Sequence, residues 1–138
     1  MNYVEVRAQV AQWMNRSDLT DMIPDFIALA EERMNRDLRT RSMETNLAAT
    51  PIVDGAITPA SDVLDVKLIW PSGSDSNPLK AQALEAVVAS DADGVPTVYA
   101  WRGLDLVFDG GGSVEGVLYA RIPSLATAAT NWVSQSAA

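Results

Sequence analysis

Trp13–Arg41, WMNRSDLTDMIPDFIALAEERMNRDLRTR, holds a helix end, a tight turn, a second helix and a basic tail in 29 residues. Its centre is Ile23-Pro24-Asp25-Phe26-Ile27-Ala28-Leu29-Ala30-Glu31. Proline suits the first turn of a helix, where the amide it lacks would have had no partner. Asp25 adds negative charge where free amides and the helix dipole favour it. Ile23, Ile27, Ala30, Met34 and Leu38, with Phe26 beside them, recur every three or four residues and predict one apolar stripe. Glu31, Glu32, Arg33, Arg36 and Asp37 are expected on the remaining surface.

Before this helix, Asn2–Asn15 reads as another, with Tyr3, Val6, Val10 and Trp13 in one stripe and Ala11 and Met14 alongside. Asn15-Arg16-Ser17-Asp18 supplies turn and capping side chains, and Leu19–Met22 has room for a single turn. So short a link predicts an αα-hairpin burying Val10, Trp13, Ile27 and Met34 together. Trp13 and Phe26 are expected in its core.

After Arg41 the period changes to two. Met43, Thr45 and Leu47 alternate with polar neighbours as in a half-buried strand. Asp54-Gly55 signals a hairpin turn within Ile52–Ile57. Val63–Trp70 reads as a largely buried strand, and Pro71–Pro78 as a loop. Lys80–Ser90 has helical composition, closed by Asp93-Gly94-Val95-Pro96. Thr97–Arg102, Leu104–Asp109 and Val114–Ile122 read as three strands of a meander, turning at Gly103 and Gly110–Gly112. The triple glycine joins strand to strand and lacks a GK[ST] end, so it is not a phosphate loop. The fold class expected is α+β: an N-terminal antiparallel helical hairpin, then a mostly antiparallel sheet with one short helix.

Few catalytic side chains are present. The chain has neither histidine nor cysteine, which removes Ser-His-Asp triads, Cys-His pairs, imidazole or thiolate metal sites and disulfides. Asp91 with Asp93, or Asp105 with Asp109, offers oxygen ligands without the twelve-residue calcium loop. Lys67 and Lys80 stand outside any nucleotide motif. No catalytic, cofactor-binding or metal residues are assigned, no cofactor is expected, and no enzyme is expected. No run of about 18 apolar residues predicts a membrane span, and Glu5 and Arg7 do not fit the start of a signal peptide.

A net charge of −8 argues against a protein whose main task is gripping phosphates. Residues 1–46 carry six basic and eight acidic side chains, residues 47–138 four and ten. An acidic surface fits either plain solubility or the wall of a passage along which DNA slides. Arg33, Arg36, Arg39 and Arg41 fit helix C-terminal carbonyls and exposed ion pairs, worth a few tenths of a kcal/mol each. They equally fit contact with an acidic partner or DNA phosphate, since guanidinium binds both through paired bonds. Trp132 fits packing on the sheet or presentation to a neighbour.

Arg16-Ser17-Asp18-Leu19 followed by Ile23–Arg41 resembles the adaptor (head-to-tail connector) proteins of tailed bacteriophages. There the pattern runs Trp-Leu-Asn-Arg-Ser-Asp-Leu, then Ile-Pro-x-Phe-Ile, then an arginine-rich helix end, without gaps relative to this chain. Later echoes are Gly94-Val95-Pro96-x-x-Tyr99, Leu104–Phe108, Tyr119-x-x-Ile122-Pro123-x-Leu125 and Thr130-Asn131-Trp132. Adaptors of this kind usually continue past Asn-Trp with further helices, whereas this sequence stops at Ser136-Ala137-Ala138. The resemblance implies a virion structural protein of the neck, made in the host cytoplasm. It implies docking on the portal protein as a homo-oligomeric ring, commonly twelve-fold, that meets the next tail or neck protein. DNA would pass through its channel without sequence-specific binding, and no membrane is involved. One adaptor-like domain is expected over 1–138: a helical hairpin over 1–41, a β-rich part over 42–125 and a tail over 126–138. The residues expected to bind partners are Arg33, Arg36, Arg39, Arg41 and Trp132. Another tail or neck completion protein, or a small nucleic-acid-binding or regulatory module, is the alternative.

Overall fold

The computed structural model describes residues 1–89, 94–128 and 132. Within it the chain forms two compact units, Met1–Met43 together with Arg121–Ala138, and Glu44–Ala120. The expected α+β class is the one observed, with helices first and a mostly antiparallel β region after them.

The helical unit contains α1 (Tyr3–Met14) and α2 (Ile23–Asp37), joined through a 3-10 turn at Thr20–Met22. Asn2 caps α1 by accepting from the Glu5 amide at 3.0 Å, while Glu5 accepts from the Asn2 amide at 2.8 Å. This reciprocal box satisfies two amides that a helix start leaves free. Asn15 ends α1 in the left-handed region at φ 47°, and Pro24 occupies the first turn of α2. Tyr3, Val6, Val10, Ala11 and Met14 pack around buried Ile23, Ile27 and Leu125.

Two expected core residues lie outside this cluster. Trp13 is 91% exposed and Phe26 is 41% exposed. The inward row of α1 steps from Tyr3 through Val6 and Val10 to Met14, and Trp13 sits roughly 60° off Val10, past its edge. On α2 the buried row steps by four, Ile23, Ile27, then half-buried Glu31, then buried Asn35. Ala30 and Leu38, expected in the stripe, are exposed, and Met34 is half-buried. Glu31, expected on the surface, faces inward.

The β unit holds two sheets. One has the order β1-β7-β3, from Glu44–Pro51, Ser113–Ala120 and Val63–Pro71, all antiparallel. The other has the order β2-β6-β5-β4, from Ala56–Ile57, Asp105–Phe108, Val98–Arg102 and Lys80–Ala81, with β4 parallel to β5. Ile69 and Val114 from the first sheet meet Ile57, Leu106 and Phe108 from the second in one core with Leu79. The short helix α3 (Leu84–Ala89) covers the opposite face, where Val87 meets Ala100 and Val107. With both faces of β6 covered, Leu106, Val107 and Phe108 are all buried.

The expected meander is corrected here. β5 and β6 form a hairpin, but β7 leaves them to become the centre of the other sheet. Gly110 makes this crossing possible, because a Cβ there would stand 2.4 Å from the Gly94 carbonyl oxygen. The Lys80–Ser90 helix also shortens: Lys80 and Ala81 are strand, α3 begins at Leu84, and Ser90 lies outside the described residues. Strand β1 does not show the expected alternation: Glu44, Leu47 and Thr50 are its half-buried residues, Thr45 is exposed, and a bulge interrupts the ladder between Leu47 and Thr50. Asp54 and Gly55 both have positive φ, as the expected tight hairpin turn needs.

In β7, a Cβ on Gly116 would fall 2.2 Å from the Leu68 carbonyl oxygen and 2.9 Å from the Ile69 Cα. Both obstacles are backbone, held by the β3–β7 ladder. Gly116→Ala is expected to destabilise the β unit by about 2 kcal/mol, as overpacked sites do, with urea unfolding as the measurement.

Candidate partner-binding surfaces

The arginines at the end of α2 divide by environment. Arg33 and Arg36 share Asp37, at 3.5 and 3.2 Å, and both guanidiniums are largely exposed. Arg39 turns back to donate to the Asn35 and Leu38 carbonyls at 2.9 and 2.6 Å, satisfying acceptors that the helix end leaves open. Arg41 is exposed at the start of the 3-10 turn Arg41–Met43. Residues 33–41 therefore present four guanidiniums against one carboxylate.

Trp132 does not lie on a sheet. It packs against the helical cluster of Ile23, Ile27 and Leu125, and its indole N–H donates to Glu31 Oε1 at 2.9 Å. The same oxygen accepts from the Leu125 amide at 2.7 Å. One turn further along α2, Asn35 Oδ1 accepts from the Ile122 amide at 2.9 Å, and Glu32 pairs with Arg121. Polar residues on α2 thus hold the chain beyond β7 at Arg121, Ile122, Leu125 and Trp132, two of them by backbone amides and two by side chains. Sequence reasoning placed Glu31 at the surface and missed this clasp. The available signal was the row Ile23, Ile27, Glu31, Asn35, which continues an apolar i, i+4 series with two polar residues. Of the expected tail, residues 129–131, with Thr130 and Asn131 among them, and 133–138 lie outside the described residues.

Beside Trp132 lies an apolar hollow of ≈ 490 Å³, walled by Val6, Val10, Met14 and the exposed Trp13, with Met1 and Gln9 at its rim. The outward face of α2, opposite Ile23 and Ile27, carries Met22, Phe26 and Leu29, and Leu29 is 70% exposed. Charge separates sharply between the units. Residues 1–43 and 121–138 hold seven basic and seven acidic side chains, and residues 44–120 hold three and eleven. The whole net charge of −8 thus resides in the β unit.

Among the described residues no three or more Asp and Glu side chains gather as a metal site. Asp105 accepts from the Thr58 hydroxyl at 2.7 Å, and Asp109 from Thr97 and Val98, so the pair is spent on internal bonds. Asp91 and Asp93 lie outside the described residues. No helix among the described residues is long and apolar enough to cross a membrane.

A family model described as SU10 adaptor protein matches residues 1–138, the whole of the sequence. The chain belongs to the SU10 adaptor family. No curated protein matches it significantly. Membership makes it a phage head-to-tail adaptor, a structural class of protein.

Proposed function

We propose that this adaptor docks on the portal ring as a closed homo-oligomer, commonly twelve-fold in such proteins, extends the DNA channel, and joins capsid to tail in the virion neck. The family match over residues 1–138 is the observation that carries this reading. It acts through binding and catalyses no reaction. The helical unit meets neighbours and the portal protein, and the β unit meets the next tail or neck protein. Arg33, Arg36 and Arg41 are the partner contacts at the helix end. Arg39 supports them by fixing the last turn of α2, and Trp132 acts through the hollow it walls.

The charge distribution supports the passage of DNA. A unit with eleven acidic and three basic side chains repels phosphate and offers few sites for counterion release. DNA can then slide past without sequence-specific binding. This separation also disfavours a nucleic-acid-binding module, which would need its basic side chains in excess.

The test is portal attachment. Arg36→Ala/Arg41→Ala removes two exposed guanidiniums and leaves the helix-capping Arg39 in place. The variant is expected to keep the wild-type circular dichroism and thermal midpoint. Its uptake by purified portal rings, counted by native mass spectrometry, should fall by about tenfold, the loss of one or two charged interface contacts. Undiminished uptake would remove the arginine end from the docking surface, and a wild-type chain that ignores portals would refute the docking itself.

A further inference from the structure

We infer that the outward ridge of α2, Met22-Phe26-Leu29, seats in the Trp13–Trp132 hollow of a second copy of this chain, as a head-to-tail contact. The inference deepens the ring reading above by naming the two surfaces that meet, and rests on it only for the closure of the ring.

The two surfaces lie on different faces of the same helical unit. The ridge stands opposite the buried row Ile23–Ile27, and the hollow lies on α1 beside Trp132. A ridge that fills another copy's hollow leaves its own hollow open, so the contact repeats from copy to copy and is heterologous. Size agrees, since a hollow of ≈ 490 Å³ admits the side chains of one helix turn. The contact would bury the 91% exposed Trp13 and the 70% exposed Leu29, apolar area whose removal from water drives association.

Charge selects a second copy as the occupant. The β units, with three basic and eleven acidic side chains, repel one another, whereas the helical units balance at seven and seven. Copies therefore approach most easily through their helices. Local charges also match when the incoming α2 crosses α1 antiparallel. Arg33, beyond Leu29, then falls toward Glu5 at the start of α1, and Asp25 falls toward Arg16 at its end. Glu5, Arg16 and Arg33 are all more than half exposed, and each would share its charge with the local partner it already has, Asn2, Asp18 and Asp37 respectively.

The absence of cysteine makes cross-linking a clean test. Gln9 at the rim of the hollow and Leu29 on the ridge are both exposed. A Gln9→Cys/Leu29→Cys double variant, treated with a short bis-maleimide alone and on portal rings, is expected to give a ladder of covalent multimers. Either single variant should give no more than a dimer. Leu29→Glu and Trp13→Glu change exposed positions and should keep the wild-type thermal midpoint. Each alone should lose at least tenfold in self-association. An equimolar mixture should recover a dimer, because one good ridge and one good hollow remain between the two variants.

Portal uptake without a ladder overturns the inference and spares the docking reading. A ladder without portal uptake does the reverse. Persistent assembly of Leu29→Glu through two facing hollows also overturns the inference.

Discussion

Asp109→Ala is expected to destabilise the β unit by about 3 kcal/mol, the scale of several charge-assisted hydrogen bonds lost together. That is on the order of a 10 °C fall in midpoint for a chain of this size. Asp109 sits just past β6, 7% exposed, and fixes the start of β5. Its carboxylate accepts from the Thr97 amide at 2.7 Å, the Thr97 hydroxyl at 2.6 Å and the Val98 amide at 3.1 Å. Alanine would strand all three donors at the entry to the β5–β6 hairpin, whose Ala100, Leu106 and Phe108 lie in the two cores of the unit.

The effect carries a pH signature. Burial works to raise the Asp109 carboxyl, but the bonds from the Thr97 side chain and the Thr97 and Val98 amides outweigh it and hold it below the usual aspartate value. A folded value below the unfolded one means the unfolded state takes up the proton first. The stabilisation is therefore complete above the unfolded value of about 4 and is lost as pH falls through the folded one. Urea unfolding of wild type and variant should differ by a constant amount from pH 5 to 8, and the difference should narrow as pH falls below about 4. A difference that persists undiminished at pH 2 would show that the carboxylate charge is not the source.

The legibility of this fold in the sequence follows the range of the interactions. Local features were readable: Pro24 in a first turn, the Asp54-Gly55 hairpin, a strand soon after Arg41 though not its alternation, and the loop that follows Pro71. Each depends on backbone preferences within four or five residues. The transfer of β7 out of the meander was not readable, because Gly110–Gly112 fits an ordinary turn equally well. What decides it is the close approach of Gly110 to Gly94 and Pro96, contacts over many residues. The bulges in β1 and β3 shifted which side chains are buried for the same reason. On the candidate surface, the arginine series was visible as composition, and its division between capping and exposed residues was not. Trp13 misled because a large aromatic at a stripe's edge scores as core, although hydrophobic residues also lie outside.

Glu31→Ala is expected to release the segment from Arg121 to Trp132 while leaving the β unit folded. One carboxylate oxygen accepts from both the Leu125 amide and the Trp132 indole, and Leu125 is 2% exposed in the helical core. Losing that acceptor buries two unsatisfied donors or forces the segment outward, at a cost of about 3 kcal/mol either way. Amide exchange at Leu125 and Ile122 should accelerate by about a hundredfold, the kinetic image of that loss, while exchange in β6 and β7 stays at the wild-type rate. Glu31→Gln keeps an oxygen at the same place and should cost less than half as much, which separates the acceptor's geometry from its charge. Asn35→Ala, freeing the Ile122 amide, should add little on top of Glu31→Ala, since both grip one segment and a released strap cannot be released twice. Additive losses would instead mean that the two residues stabilise α2 itself. The distinction bears on assembly, because Trp132 walls the hollow in which a second copy's ridge would sit. With the clasp open, cross-linking between positions 9 and 29 should fall even though neither position has changed.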